Sequence, residues 1–220
     1  MPPGLAADTA EEWGMYARST TVHGNPQSLD DAIAYLRDEV MPAAQRMDGC
    51  IGMSMMCDRN TGRCIATTAW ESEEAMHNSE GGLHDMRKRY AQMLGGTPEV
   101  QEWEITLLHR LQHAPDGACC RVLWSGGNPD DVERVVDAVR MTLLSRIEDL
   151  PGFCSVSMLV DRENGRAASA VVYESRAAMN RATEAARPLR DEFNRLTGWK
   201  FTEIAEFDLA LAHLRVPETV

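Results

Sequence analysis

Hydrophobic positions along this chain follow two periods, and the same succession of periods occurs twice. In the first half, alternation of bulky and short polar residues predicts strands at 15–24, 50–57, 64–70 and 100–110. After the first strand, hydrophobic residues recur at spacings of four, three and four, which predicts one face of an amphipathic helix: Leu29, Ile33, Leu36 and Val40. A second helix is predicted between the last two strands, so the order is βαββαβ.

The second predicted helix covers residues 71–96. Its core-facing side consists of Met76, Leu83, Met86, Tyr90 and Met93. Gly81 and Gly82 lie inside this segment, and glycine weakens a helix interior. We therefore expect a kink at the two glycines.

The hairpin between the second and third strands is nearly repeated in the second half. DRNTGRCIATTAWES at 58–72 reappears as DRENGRAASAVVYES at 161–175, and the flanking elements reappear in the same order. The repeat predicts five segments: an N-terminal extension at 1–14, a first domain at 15–110, a linker at 111–118, a second domain at 119–215 and a C-terminal tail at 216–220.

Each βαββαβ unit is expected to form a four-stranded antiparallel sheet with both helices on one face. The other face is then exposed, and leaving apolar area in water costs about 25 cal/mol per Å². Because the linker is short, the two units must be neighbours. We predict an α+β fold in which two tandem ferredoxin-like domains pack sheet to sheet.

Charge and hydropathy exclude several classes of partner. The formal charge is −12, which disfavours binding to nucleic acid. No apolar run approaches the roughly 20 residues that cross a bilayer, and the first residues lack the pattern of a signal peptide. We expect a cytoplasmic protein that binds neither nucleic acid nor membranes.

The six cysteines include no C-x-x-C pair, so neither a zinc ribbon nor a thioredoxin-type site is expected. Cys57 and Cys64 flank the first hairpin turn and could face each other, which leaves open an oxidative bridge. Val160 and Ala167 occupy these positions in the second hairpin. The bridge is therefore not needed to close a hairpin of this kind.

Two stretches carry a resemblance to a known family: GCIGMSMMCDRNTGRCIATTAWESEEAM at 49–76 and GFCSVSMLVDRENGRAASAVVYESRAAM at 152–179. They resemble the antibiotic biosynthesis monooxygenase (ABM) domain of the dimeric α/β-barrel superfamily, over most of 15–110 and 119–215. Members usually pair two chains sheet to sheet, with a pocket between each sheet and its own helices. The resemblance implies an intrachain dimeric α/β barrel.

The resemblance also implies two activities, namely cofactor-independent oxygenation of an electron-rich aromatic molecule and haem binding with oxidative ring opening. The sequence departs from both patterns. The asparagine that positions substrate in the oxygenases is replaced by Ala66 in the first half and Ser169 in the second. The three positions of the haem site hold other residues, namely Arg18 or Ser19, Ser79, and Arg87 or Lys88. His84 is the only nearby substitute ligand for haem.

Oxygenation without a metal needs a base and donors that hold an anion. On this ground we expect three catalytic residues, His84, His77 and Arg87. The expected substrate-binding residues are Trp70, Arg18, His23 and Tyr173. The alternative interpretation is that the histidines are solvated surface groups and that Trp70 packs at a strand end.

The leading hypothesis is a protein that binds a small aromatic or apolar molecule in its first half, as a cofactor-independent monooxygenase with no cofactor or metal. The alternative is a non-catalytic binding or structural protein whose pockets are closed by side chains. A minor alternative is haem binding or degradation. Association of the tandem chain into a homo-oligomer is also left open.

Overall fold

The computed structural model of this protein describes residues 14–214. The predicted N-terminal extension, apart from its last residue, and the predicted C-terminal tail lie outside the described residues. The first half contains β1 (Met15–His23), α1 (Leu29–Tyr35), α2 (Met41–Ala44), β2 (Cys50–Cys57), β3 (Arg63–Trp70), α3 (Glu73–Asn78), α4 (Glu80–Leu94) and β4 (Glu99–Arg110). The second half contains β5 (Cys119–Gly126), α5 (Val132–Ala138), α6 (Leu144–Glu148), β6 (Phe153–Asp161), β7 (Arg166–Tyr173), α7 (Arg176–Thr197) and β8 (Lys200–Leu214).

The first helical segment of each half is interrupted at the same place. A π-helical turn at Leu36–Val40 separates α1 from α2, and one at Val139–Leu143 separates α5 from α6. Pro42 lacks an amide donor and would weaken the ladder in the first half. The second half has the same turn without a proline at that position, so the proline is not required for the turn.

The second helical segment differs between the halves. In the first half it breaks at Ser79, between α3 and α4, so the predicted kink at Gly81 and Gly82 is wrong by a few residues. The hydroxyl of Ser79 donates to the carbonyl of Met76 over 2.6 Å and competes with the backbone there. In the second half α7 is continuous, even though it contains Pro188.

The eight strands form one closed antiparallel barrel in the order β1-β3-β2-β8-β5-β7-β6-β4. Each half contributes one four-stranded sheet, as predicted. The barrel is closed by pairing between halves, because β2 pairs with β8 and β4 pairs with β6. Closure leaves no unpaired sheet edge. The predicted α+β fold, with two ferredoxin-like units that cover each other, is confirmed.

Three apolar regions follow from this arrangement. The helices of the first half cover a core that includes Trp70 and Tyr90, and those of the second half cover a core that includes Tyr173 and Phe193. A third cluster around Phe207 lies inside the barrel, where the two sheets face each other. Alternation along each strand therefore assigns every second residue to the barrel interior and the others to the helix layer.

The two turn-flanking cysteines face each other as predicted. Cys57 and Cys64 are register partners, their Sγ atoms lie 3.4 Å apart, and both are buried free thiols. The hydrogen bond between them raises the pKa of Cys57 and lowers the pKa of Cys64. Val160 and Ala167 are the corresponding partners in the second half.

Candidate functional site

The break between α3 and α4 lies directly over a buried arginine. Arg18 points from β1 toward the helices, is only 5% exposed, and its Nη1 donates to the Ser79 hydroxyl over 3.3 Å. Its Nε and Nη2 donate to Oε1 of Glu102 on β4 over 2.9 and 2.6 Å. Burial of this charged side chain is tolerated because its donors have hydrogen-bond partners.

Glu80 gathers the remaining basic side chains. It lies 3.0 Å from Arg18 and accepts two hydrogen bonds from Arg87, at 3.1 and 3.0 Å. His84 Nδ1 lies 3.0 Å from the same carboxylate, one helical turn away. His77 Nε2 lies 3.1 Å from Oε2 of Glu102. We call this set the Glu80 cluster, and its members are Arg18, His77, Glu80, His84, Arg87 and Glu102.

The cluster favours ionised carboxylates. Hydrogen bonds from Arg87 and His84, with the nearby charge of Arg18, hold the pKa of Glu80 at about 2. Burial opposes ionisation of Glu102, but hydrogen bonding to Arg18 and His77 outweighs it and lowers its pKa. Both carboxylates nevertheless keep more than 40% of their side-chain surface exposed. Water or a ligand can therefore reach them.

A narrow cleft lies between the sheet and α4 beneath the cluster. Its volume is about 30 Å³, close to the space that one water molecule takes up in the liquid. Arg18 and Arg87 provide its charged lining. The rest is mostly apolar: Thr20, Leu36, Val40, Met53, Ala66, Thr68, Leu83, Met86 and Tyr90. The arrangement resembles an anion site over an apolar floor.

Four of the seven predicted site residues meet in this cluster: Arg18, His77, His84 and Arg87. The other three lie elsewhere. Trp70 is fully buried, and its indole N–H donates over 3.1 Å to Thr68, which does line the cleft. His23 is exposed at the far end of β1, and Tyr173 is buried in the core of the second half. Neither belongs to the cluster, and their contact with a ligand stays a prediction.

The equivalent position in the second half keeps the arginine and its strand glutamate, and Arg176 is the further basic side chain that contacts this glutamate. Arg121 Nη2 donates to Glu206, to Thr183 and to the carbonyl of Met179, at 2.6, 2.8 and 3.3 Å. Its guanidinium lies 5.9 Å from the ring centroid of Tyr173. Thr183 stands where the first half has Glu80, so no second carboxylate draws basic groups together.

The sequence interpretation missed the acidic members of the cluster. Glu80 precedes His84 by four residues and Arg87 by seven, a spacing that places the three on one helix face and could have been recognised. Glu102 gave no such signal, because it meets Arg18 only through the pairing of β1 with β4. Its partner is 84 residues away along the chain.

Neither a metal site nor a membrane helix emerges from residues 14–214. No three His, Cys, Asp or Glu side chains in this part of the chain are arranged to hold a metal ion. No helix among these residues is long and apolar enough to cross a membrane.

Comparisons with known proteins identify relatives of this chain and of its fold. The profile of the family described as antibiotic biosynthesis monooxygenase matches residues 15–86. The uncharacterized protein Rv2557 of Mycobacterium tuberculosis H37Rv is 48% identical over 210 residues, which is 96% of this chain and 94% of that protein.

Two solved structures share the fold. A provisionally assigned monooxygenase from Lactobacillus acidophilus NCFM superposes with a TM-score of 0.67 at 13% identity, over 92% of this chain and 97% of that one. An anthrone oxidase-like protein superposes with a TM-score of 0.62 at 13% identity, over 93% of each chain. Identities this low show the fold alone.

The closed barrel of two βαββαβ units is that of a dimeric α/β-barrel protein with both subunits in one chain. More particularly, the chain belongs to the antibiotic biosynthesis monooxygenase family and has a monooxygenase-like fold.

Proposed function

We propose that the first half of this protein binds a small anionic aromatic molecule at the Glu80 cluster and oxygenates it without a cofactor. The observation that carries the proposal is the convergence of Arg18, Arg87, His77 and His84 on two exposed carboxylates above an apolar cleft. The second half, with Thr183 in place of Glu80, provides no such convergence.

The two arginines would bind the anionic oxygen of the substrate. In the unliganded state Glu80 neutralises them, and its exposed carboxylate can turn outward into water when a phenolate or enolate replaces it. The guanidinium groups would then keep a partner, as buried charges require. The ring would lie against the apolar floor of the cleft. Trp70 would support that floor from behind through its hydrogen bond to Thr68.

A histidine would remove the proton that makes the substrate anionic. When His84 donates from Nδ1 to Glu80, its Nε2 is left with a lone pair that accepts a proton. In His77 the nitrogen that contacts Glu102 is Nε2. When Nε2 donates to Glu102, Nδ1 is the nitrogen that accepts a proton. Both rings are more than half exposed, so each can exchange its proton with water.

The proposed oxygenation needs no reductant other than the substrate itself. An activated CH₂ group loses a proton to histidine, and the carbanion transfers electrons to dioxygen as a C–O bond forms. The resulting peroxide anion takes back the proton from histidine, and the hydroperoxide so formed eliminates water, which leaves a carbonyl group. One dioxygen is consumed for each CH₂ converted to C=O, with one water released. The arginines stabilise the negative charge on oxygen throughout.

Entry of a ring requires the cleft to widen. Its volume of about 30 Å³ admits a water-sized molecule and leaves no room for a haem between α4 and the sheet. The break at Ser79 is followed by Gly81 and Gly82, and an added Cβ at Gly81 would meet nothing within 4 Å. Gly82 packs against Met47, since an added Cβ there would clash with the end of that side chain, so opening of the junction would require the flexible Met47 side chain to move as well.

One observation favours the non-catalytic alternative. In the described conformation the cleft is almost filled and Trp70 has no exposed surface, as expected of a protein whose first-half pocket is closed by side chains. Ligand binding distinguishes the two functions directly, because a closed pocket takes up nothing.

The test combines anaerobic binding with oxygen uptake. The full-length protein is titrated with 1,8-dihydroxyanthrone and with a panel of two-ring and three-ring phenols, and oxygen consumption above the buffer blank is then measured. We expect Arg87→Gln to weaken binding at least tenfold. We expect the double variant His77→Gln, His84→Gln to retain binding and lose oxygen uptake.

Lys88→Gln is the matched control, since Lys88 is an exposed cation next to Arg87 on the same helix. It should behave as the native protein does. Absence of both binding and oxygen uptake across the panel would refute the proposal and leave the closed, non-catalytic protein.

A further inference from the structure

The interior of the barrel is filled unevenly along its axis. At the end where the hairpin turns lie, Trp103, Trp124 and Phe207 fill the space between the sheets. The indole N–H of Trp103 donates to Ser19 over 2.8 Å, and the Arg63 guanidinium covers Trp124 at 4.6 Å from its ring centroid. This end of the barrel is closed.

At the opposite end small side chains line the interior together with larger aliphatic ones such as Met56, Ile105 and Leu209. Four alanines and four hydroxyl residues line the wall: Ala17, Ala69, Ala170, Ala212, Ser54, Ser155, Ser157 and Thr67. An eight-stranded barrel has an interior that side chains of ordinary size just fill. The alanines and hydroxyl residues are too short to fill this interior. A cavity of about 200 Å³ therefore lies between the sheets.

The cavity reaches the surface beside the linker. His113 and Ala114 of the linker, together with Arg110 at the end of β4, belong to its lining, and His113 is exposed. The opening is therefore at the rim of the barrel, on the opposite side of the sheet from the Glu80 cluster. The two sites do not share a lining residue.

Two of the interior hydroxyls occupy equivalent positions in the two halves. Ser54 on β2 and Ser157 on β6 stand four strands apart in the eight-stranded order, which places them on opposite walls. Both remain partly accessible although they point into the barrel. Apart from Arg110 and His113 at the opening, the rest of the wall is uncharged and mostly apolar.

From this lining we infer a second ligand site inside the barrel, for an uncharged single-ring molecule with a hydroxyl group, such as a phenol or an aryl alcohol. The volume limits the ligand to about one ring with a short substituent, since an apolar cavity of about 150 Å³ holds benzene. The serine hydroxyls would bind the ligand hydroxyl, and the alanine wall would contact the ring. This site is independent of the proposed function of the Glu80 cluster.

Fluorine NMR of the full-length protein with 4-fluorophenol tests the inference. The probe is uncharged at neutral pH, because the pKa of a phenol lies near 10. We expect saturable binding to the native protein, weaker binding of fluorobenzene, and little binding of 4-fluorobenzoate, whose charge would have to be desolvated. Tighter binding of the benzoate than of the phenol would overturn the ligand class.

Filling the cavity should abolish binding. Ala170→Leu places a larger side chain on the interior wall, and we expect it to weaken 4-fluorophenol binding more than tenfold. Ala185→Leu, the same change at an exposed position of α7, is the matched control and should bind as the native protein does. Near-UV circular dichroism establishes that each variant is folded.

The double variant Ser54→Ala, Ser157→Ala retains the fold with minimal change and keeps the inference falsifiable if Ala170→Leu does not fold. It should lose the preference for 4-fluorophenol over fluorobenzene. Three results would overturn the site: no saturable binding to the native protein, a serine variant that prefers 4-fluorophenol as strongly as the native protein does, or loss of binding in Arg87→Gln, which would place the probe at the Glu80 cluster.

Discussion

Arg18 and Arg121 occupy equivalent places in the two halves, yet their surroundings differ. Each is almost fully buried and donates to a glutamate on the last strand of its own half, Glu102 or Glu206. Around Arg18 the helix is broken, and Glu80 brings in two further basic side chains. Around Arg121 the helix is continuous and a threonine accepts one hydrogen bond, while the buried Nη1 of the arginine has no hydrogen-bond partner among the described residues.

Both halves therefore keep a buried arginine paired with a glutamate on the last strand. The residue at one helix position, Glu80 or Thr183, determines which other side chains gather around that arginine. An acidic residue there recruits charged groups at the surface. A hydroxyl residue accepts one hydrogen bond from the arginine and binds no further basic side chain. The first half is thus the half suited to exchange its partner for a ligand, and the second is suited to hold the fold together.

The largest expected effect concerns whether the two halves are energetically separate. Trp70→Ala and Tyr173→Ala each remove a fully buried ring, which should cost about 3–5 kcal/mol of unfolding free energy. Because β2–β8 and β4–β6 pairing joins the halves, both variants should shift one common unfolding transition. Urea denaturation followed by near-UV circular dichroism measures this, and two separate transitions, of which only one shifts, would contradict it.

The next effect compares the two arginines. We expect Arg121→Met to lower the unfolding free energy by about 2 kcal/mol, because the buried carbonyl of Met179 and the hydroxyl of Thr183 both lose a donor. Arg18→Met should cost about 1 kcal/mol, since exposed Glu80 and Glu102 can turn to water. Chemical denaturation of both variants measures the two losses of unfolding free energy. A larger loss in Arg18→Met would show that the first cluster is the more structural one.

The loss of unfolding free energy at low pH should depend on the first half. Glu80 has a pKa of about 2 in the folded protein against an ordinary value of 4.5, so its contribution is complete above pH 4.5 and is lost as the pH falls toward 2. Because the side chain is partly exposed, we expect this contribution to be about 1 kcal/mol or less. Unfolding free energies measured between pH 7 and pH 2.5 should fall less steeply in Glu80→Gln.

Glu184→Gln is the control for that measurement, as it changes an exposed glutamate on α7. Its acid profile should follow that of the native protein. An unchanged slope in Glu80→Gln would mean that the cluster does not favour the ionised carboxylate.

The smallest effect is expected at the hairpins. Cys57→Val with Cys64→Ala copies the pair that the second half uses, and the volume change is modest. The unfolding free energy under reducing conditions should change by less than about 1.5 kcal/mol. Comparison of the native protein with and without a thiol oxidant then measures whether a bridge between the cysteines adds stability that the second hairpin lacks.

Local pattern was enough to predict most of the fold. The strands and the helix order follow from alternation and from hydrophobic spacing, and sheet-to-sheet packing follows from the repeat. The kink was misplaced because glycine propensity was weighed and the competing hydroxyl of Ser79 was not. Four cluster residues were predicted from their chemistry. The residue that organises them, Glu80, was missed even though its spacing to His84 was visible.

What the sequence alone determined is therefore everything that depends on neighbours within a few residues: periodicity, turns and the duplicated unit. The tertiary structure decided the rest. Strand pairing brought Glu102 to Arg18, closure of the barrel joined the two halves, and the sum of small side chains from several strands left the interior cavity. Such features depend on which distant residues share a volume, and local periodicity contains no information about that.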